Sequence, residues 1–322
     1  MVTAKKIIAI VNPKAAGGLA ARRWPRVDRL LRERLGPVDS RFTRRRGDAI
    51  EVAAQALRDG YELIIAVGGD GTVNEIVNGF FVDGVKRSTA HLGFIPIGTG
   101  GDLQRTLQVP LDAERAVEVV AAGCPLEIDI ARARLMGYDR APLDRYFVNL
   151  LSFGMGGDVS VRAKSFPRWF GGKAAFLAAT LLVFLSYKGR RVRLTLDGVS
   201  QSEELLITNI AIGNGCYHGG GMHPCPRAVM NDGLLEVTTI DRLGMFELLR
   251  DLPVLYSDDI YKHPKVRHFR ARNVRAESRE VTRIEVDGEA LGALPLEVEV
   301  LPKQLSVLVA PESPLRVAAP AL

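Results

Sequence analysis

Five residues, Gly68-Gly69-Asp70-Gly71-Thr72, separate the apolar run Leu63-Ile64-Ile65-Ala66-Val67 from a stretch with apolar residues at helical spacing, Val73, Ile76, Val77 and Phe80. A buried strand, a bend that only glycine permits and a helix start thus follow one another. Glycines let backbone N–H groups approach a polyanion closely, and the positive end of the new helix points at the same spot. Thr72 and Glu75 have the spacing of a capping box, which predicts where that helix begins. A bend made only for folding needs one glycine and no aspartate. No lysine follows as in G-x-x-x-x-G-K-[ST], and the spacing is not G-x-G-x-x-G, so this is neither a standard P-loop nor a dinucleotide loop. Asp70 would face phosphates through a cation, or take a proton from a group attacking one.

The same succession recurs before and after this loop. Residues 7–11 read as a first strand ending in the loop Asn12-Pro13-Lys14-Ala15-Ala16-Gly17-Gly18, and a helix runs from about 19 to 35. Residues 38–43 suit a second strand, and Ile50, Val52, Ala53, Ala56 and Leu57 a second helix ending near Gly60. Residues 92–95 form a fourth strand that enters another glycine loop, Pro96-Ile97-Gly98-Thr99-Gly100-Gly101-Asp102. Strands alternating with helices predict a doubly wound α/β domain with a parallel sheet. Ligands of such sheets bind beyond the carboxyl ends of the strands, where all three loops lie.

After a helix at 117–122 the pattern changes. Segments 126–133, 145–152, 191–196, 204–212, 234–240, 265–276, 282–286 and 296–308 read as strands, and only 173–185 and 243–256 as helices. This predicts an antiparallel β-sandwich or barrel, with Asp197-Gly198 as one hairpin turn. The architectures change near Gly123-Cys124-Pro125.

A chain of 322 residues, 47% hydrophobic and 25% charged, can bury two cores and is not a disordered protein. Cys124, Cys216 and Cys225 form no C-x-x-C and cannot all pair, which points to a reducing compartment. Lys5-Lys6 before a short apolar run that ends in Asn12-Pro13 does not read as a signal peptide. The apolar stretch 174–185 is too short to span a bilayer and reads as a buried helix that could rest on a membrane or admit an acyl chain. The net charge of +6 is concentrated in arginines of the first fifty positions, a face that attracts anions. No aromatic platform or recognition helix accompanies them, so a nucleic-acid partner is not expected.

Smaller constellations occupy the second half. Cys216, His218, His223 and Cys225 lie within ten residues, but their spacing matches no common zinc pattern, and a flexible loop passing near a ligand fits better. Asn231-Asp232-Gly233 and Asp287-Gly288-Glu289 each read as a turn or as carboxylates that hold a cation or deprotonate a hydroxyl, and spacing alone leaves both open.

Taken in order, Asn12-Pro13 with Gly17-Gly18, the Gly68 to Thr72 loop with Asn74-Glu75, the Pro96 to Asp102 loop, the triple glycine at 219–221, Asn231-Asp232-Gly233 and Asp287-Gly288-Glu289 resemble the diacylglycerol kinase and sphingosine kinase superfamily. The likeness is to its soluble bacterial lipid kinases, and it covers nearly the whole chain. It implies a nucleotide domain like that of NAD kinase and phosphofructokinase, residues 1–124 with about 306–322, and a β-sandwich lipid domain, residues 125–305, with the site in the cleft between them. ATP would lie along Asn12, Pro13, Lys14, Ala15 and Ala16, Thr43, Gly68, Gly69, Asp70, Gly71, Thr72, Val73 and Asn74, and Thr99. Asp232 matches a magnesium position, with the backbone carbonyls of Val229 and Leu234. Glu289 matches a general base with Asp287 beside it, although the aspartate matching Asp70 is favoured in the sphingosine kinases. The expected protein is a cytoplasmic lipid kinase, peripherally bound to the membrane that presents its lipid, using ATP and Mg2+, with room for a homodimer. Gly101 stands where the family has asparagine, which admits a catalytically weak lipid-binding or scaffold protein as an alternative. An NAD kinase would need a Thr-Gly-Ser run that this chain lacks.

Overall fold

The computed structural model describes residues 5–82, 84–98, 100–163, 165–166, 172–201 and 204–316. The chain divides into two compact units, Met1–Ile128 with Lys303–Leu322, and Asp129–Pro302.

The first unit contains β1 (Ile7–Val11), α1 (Ala15–Leu35), β2 (Asp39–Phe42), α2 (Asp48–Arg58), β3 (Leu63–Gly68), α3 (Asp70–Gly79), the short pair β4 (Phe81–Val82) and β5 (Val85–Lys86), β6 (His91–Pro96), α4 (Asp102–Leu107) and α5 (Ala113–Ala122). β2, β1, β3 and β6 lie side by side in parallel. All residues of β1 and β3 are buried, as suits central strands covered on both faces, whereas the edge strand β2 is largely exposed. α1 packs on α5 and α2 on α3. Two of the crowded arginines serve the first of these contacts: Arg26 pairs with Glu114, and Arg34 lies 3.9 Å from Glu118.

The capping-box expectation fails. α3 begins at Asp70 without a side-chain cap. The Glu75 carboxylate instead accepts the Gly47 and Ala49 N–H groups at 2.9 and 3.2 Å, and so caps α2. Spacing within one helix could not reveal a neighbouring helix end with unsatisfied donors.

The second unit holds most of β7 (Cys124–Gly137), then β8 (Pro142–Phe147), β9 (Leu150–Gly154), α6 (Met155–Ala163), α7 (Gly172–Ser186), β10 (Arg190–Leu196), β11 (Val199–Ser200), β12 (Leu205–Gly213), β13 (Leu235–Asp241), α8 (Met245–Asp251), β14 (Val266–Ala271), β15 (Asn273–Glu277), β16 (Arg283–Val286) and most of β17 (Glu289–Val309). The last residues of β17 belong to the first unit, where Ser306 and Val307 pair in parallel with His91 and Leu92. Within the second unit the pairing is antiparallel and runs in a ring, β10 to β12, β9, β16, β17, β15 and back to β10. Phe147, Phe153, Val192, Leu194, Ile210, Val237, Ile284 and Leu296 are among the side chains of its buried core.

Three segments read as single elements are divided. Residues 145–152 break between β8 and β9, residues 265–276 break at Arg272, and 243–256 becomes α8 followed by a 3-10 turn, Leu252–Tyr256. The second break has a local cause: the Asp197 carboxylate accepts the Arg272 and Asn273 N–H groups at 3.0 and 2.8 Å. Helix α6 was not expected, because Gly156 and Gly157 lower helix propensity. They are there for contact: a Cβ on Gly157 would stand 2.2 Å from the Arg283 carbonyl oxygen, so glycine lets α6 lie directly on β16.

Candidate active site

In the first unit the loops after β1, β3 and β6 are tied together by side chains and by backbone. Asn12 donates from Nδ2 to Thr72 Oγ1 at 3.1 Å, and its Oδ1 accepts the Lys14 N–H at 3.1 Å. The Ile97 N–H donates to the Gly68 carbonyl at 2.7 Å. A Cβ on Gly98 would stand 2.7 Å from Gly69 Cα, so the two glycine loops meet backbone to backbone. Asp70 Oδ2 accepts the Asp102 N–H at 3.0 Å, which joins the start of α3 to the start of α4.

This arrangement leaves room for a ligand. Side chains placed on Gly17, Gly18 or Gly71 would meet nothing within 4 Å. The N-terminus of α3, whose N-cap residue Gly69 offers no side-chain cap, presents the positive end of a helix at the same loop. Asp70 and Asp102 both flank Gly100, whose Cβ would lie 3.0 and 3.9 Å from their Oδ2 atoms. Two carboxylates beside an anion-attracting helix end are the donor set expected of a divalent cation that accompanies phosphate. Arg105, which sequence reasoning missed, donates to the Gly100 and Gly101 carbonyls at 3.0 and 3.2 Å and to Asp102 Oδ1 at 3.1 Å. Gly101 has φ +69°, a left-handed conformation that glycine and asparagine accept most readily. The exchange of asparagine for glycine therefore keeps the bend and removes only an amide.

The other expected nucleotide contacts divide. Pro13 lies in the first loop, and Ala15 and Ala16 open α1, whose first turn leaves helical geometry at Ala16, Gly17 and Gly18 with φ of 48°, 66° and 92°. Lys14 reaches back to the Arg44 carbonyl at 3.3 Å, and the Thr43 N–H donates to the Val11 carbonyl at 2.9 Å. Val73 and Asn74 are buried in the body of α3, and Asn74 accepts from Asn78 through its backbone and side-chain oxygens. Thr99 lies outside the described residues.

In the second unit, Asp287-Gly288 is a two-residue hairpin turn joining β16 to β17, with φ of 45° and 82°. The chain thus adopts the turn reading of this motif. The Asp287 carboxylate accepts the backbone N–H groups of Val148, Asn149 and Leu150 at 3.1, 3.2 and 2.9 Å, which is what breaks β8 from β9. Its oxygens are thus employed in holding backbone, a poor starting point for taking a proton. Glu289, two residues on, faces the Arg145 guanidinium at 3.5 Å with both side chains mostly buried. Arg145 carried no local signal in the sequence, because the pair forms only when distant strands meet.

Asp232 is engaged differently from the expectation. Its Oδ1 accepts the Leu234 N–H at 3.0 Å, closing an Asx turn, and its Oδ2 pairs with Arg270, which also lies 3.8 Å from the buried Glu236. Val229 and Leu234 are half-buried on either side. Among the described residues no three His, Cys, Asp or Glu side chains converge as a metal cage. An arginine therefore stands beside the carboxylate at the position expected to hold magnesium.

The cysteines and histidines at 216–225 also point to separate partners. Cys216 Sγ lies 3.4 Å from the Ala228 carbonyl, Cys225 is fully buried beside Thr238, His218 faces the buried Glu285 at 3.3 Å, and His223 meets Asp258 at 2.7 Å. Burial pushes the Cys216 thiol up to about 11 and raises Cys225 further, so neither is a ready thiolate ligand.

At least three cavities lie among the described residues of the second unit. One of 510 Å³ is lined by Arg132, Arg134, Arg193 and Arg275 with Glu277, Glu297 and Glu299. Several of these pair with one another, Arg132 with Glu299 and Arg275 with Glu277 and Glu297 among them. The second, about 70 Å³, is mainly apolar and lies between β9, β12, α6 and α7.

Comparison with known proteins accounts for both halves. Residues 6–133 match the diacylglycerol kinase catalytic domain, and residues 149–309 match the YegS C-terminal NAD kinase beta sandwich-like domain. The chain is 30% identical over 304 residues to a diacylglycerol kinase of Staphylococcus carnosus, covering 94% of each. It is 29% identical over 305 residues to one of Staphylococcus aureus, covering 94% of this chain and 92% of that one. The crystal structure of a diacylglycerol kinase from Bacillus anthracis superposes with a TM-score of 0.72 at 23% identity, covering 97% of this chain and 99% of that one. Yeast NADH kinase complexed with NADH shares the fold more distantly, at a TM-score of 0.54, 13% identity and coverage of 98% and 86%. With both halves matched and almost the full length aligned, the chain belongs to the diacylglycerol kinase family of lipid kinases, enzymes that phosphorylate an alcohol group.

Proposed function

We propose that this chain transfers the γ-phosphoryl group of ATP to the free hydroxyl of diacylglycerol or a closely related lipid at a membrane surface. The observation that carries this reading is the linked set of three loops around Asp70, with glycines opening onto free space and an uncapped helix end beside them. The names of the staphylococcal relatives support the choice of lipid.

Phosphoryl transfer asks a protein mainly to position reactants and neutralise charge. Gly68 to Thr72 receive the phosphates, and Asn12 to Ala16 and Thr43 line the rest of the nucleotide. Val73 and Asn74 support α3 from within rather than touch the ligand. Asp70, with Asp102, would hold the Mg2+ that accompanies the triphosphate, and the ion would supply charge neutralisation. Glu289 takes the proton from the lipid hydroxyl, with the Arg145 guanidinium 3.5 Å away orienting its carboxylate. Asp287 positions Glu289 by fixing the turn that carries it. Arg270, rather than a second metal, neutralises Asp232.

The lipid side of the reading rests on α7. Among the described residues no helix is long and apolar enough to cross a membrane. Yet Leu177, Leu182 and Leu185 of α7 are 42%, 43% and 70% exposed, an apolar surface suited to resting on a bilayer. The test is incubation with labelled ATP, magnesium and vesicles carrying diacylglycerol, monoacylglycerol, a sphingoid base or phosphatidylglycerol. Label in the diacylglycerol product supports the reading, and label confined to the sphingoid base or absent from every lipid contradicts it.

A further inference from the structure

The apolar cavity of the second unit contains one polar atom that the fold does not use. Leu150, Met155, Val159, Ala211, Met222 and Leu243 are among its apolar lining, and Ser152 of β9 also faces it. Ser152 is 1% exposed, and its hydroxyl has no hydrogen-bond partner among the described residues. A buried hydroxyl left without an acceptor costs stability.

The polar groups around it are already committed. Asn209 Oδ1 accepts the Gly156 N–H at 2.9 Å. Thr208 donates to the Asp241 carbonyl at 3.1 Å and accepts the Leu243 N–H at 2.9 Å. Ser160 donates to Glu285 at 2.5 Å, and His218 faces the other oxygen of that carboxylate. The space in front of Ser152 is kept open by glycine: a Cβ on Gly156 would stand 2.4 Å from Ser152 Oγ and 3.1 Å from Asn209 Oδ1. An apolar slot with one available O–H donor matches an alkyl chain that carries a hydrogen-bond acceptor near its attachment.

We propose that this cavity seats the carbonyl-proximal part of one acyl chain of the lipid substrate, and that Ser152 donates a hydrogen bond to its ester carbonyl, so that the enzyme distinguishes ester-linked from ether-linked glycerolipids. The proposal rests on the lipid-kinase reading and adds the linkage that is read. A second chain need not enter, because about 70 Å³ holds only a few methylene groups.

The test measures binding as well as turnover, for the full chain and for Ser152→Ala. Binding to diacylglycerol and to its dialkyl ether counterpart is measured in identical detergent micelles, and phosphorylation of both is followed separately. The wild type should bind the ester roughly tenfold more tightly than the ether, the size of one neutral hydrogen bond. Ser152→Ala should lose that margin by weakening ester binding alone, with a melting temperature no lower than that of the wild type. Equal affinities in the wild type, a parallel loss for both lipids, or a lowered melting temperature would overturn the assignment. If the binding margin behaves as expected while neither lipid is phosphorylated, the kinase reading fails and the subsite stands. Gly156→Ala is the steric counterpart: it should weaken binding of both lipids, and unchanged binding of both would again overturn the placement.

Discussion

The Asp287 carboxylate of the second unit gathers three consecutive backbone N–H groups, those of Val148, Asn149 and Leu150. Hydrogen bonds to a charged acceptor contribute about 1.5–3 kcal/mol each, but three on one carboxylate are not additive. Asp287→Ala should therefore cost about 4 kcal/mol, including the strain of alanine at a φ of 45°. Asp287→Asn keeps one acceptor oxygen and tolerates the left-handed turn, so about 2 kcal/mol is expected. At an m-value of about 2 kcal/mol/M, these losses move a urea midpoint down by about 2 M and about 1 M. Both variants should also lose turnover, because Glu289 follows the same turn. Far-UV circular dichroism during urea titration, with kinase assays on the folded fraction, reads both effects. An Asp287→Ala protein within 0.5 kcal/mol of the wild type would show that the clamp does not hold the loop.

Other outcomes follow from the same geometry. Glu289→Gln should lower kcat by about 10²–10⁴-fold with an unchanged melting curve, as for loss of a general base, and near-normal turnover would remove Glu289 from the mechanism. Gly101→Asn should fold within about 0.5 kcal/mol of the wild type, since asparagine accepts φ +69°, whereas Gly101→Val should cost more than about 1 kcal/mol; equal stabilities would discount the left-handed bend. Chelation with EDTA should leave the melting temperature unchanged while stopping phosphoryl transfer, because Arg270 already balances Asp232; a melting temperature that falls on chelation would restore a metal to that turn. Iodoacetamide should label Cys216 slowly at pH 8 and faster only as pH approaches about 11, because burial disfavours its thiolate; rapid labelling at neutral pH would refute that environment.

What could be read in advance, and what could not, depended on how far apart the interacting residues are in the chain. β1, β3 and β6 announce themselves as short apolar runs, and each is followed by a glycine loop, so the first unit's strands and loops were legible. The Asp197-Gly198 hairpin was legible for the same reason, since its turn chemistry is local. Helix α6 was hidden because its glycines answer to β16, far along the chain. Glu75 misled because its true partners, Gly47 and Ala49, lie on another helix. The break at residues 148–149 and the Arg145–Glu289 and Arg270–Asp232 pairs depend on strands brought together by the ring of the second unit. Motif spacing alone singled out Asp287 and Glu289 together, and only the hydrogen bonds separate a carboxylate that holds backbone from one that faces an arginine.

The central claim is that loops built around Asp70 deliver the terminal phosphate of ATP to a lipid hydroxyl. Its most direct test follows the γ-phosphoryl label from ATP into the organic phase with diacylglycerol vesicles and magnesium, for the wild type and for a folded Asp70→Asn variant. The account predicts labelled phosphatidic acid from the wild type and at least a hundredfold less from the variant, the order expected on losing a charged group at the reacting centre. A folded wild type that leaves diacylglycerol unlabelled, or an Asp70→Asn variant that labels it at the same rate, would contradict it.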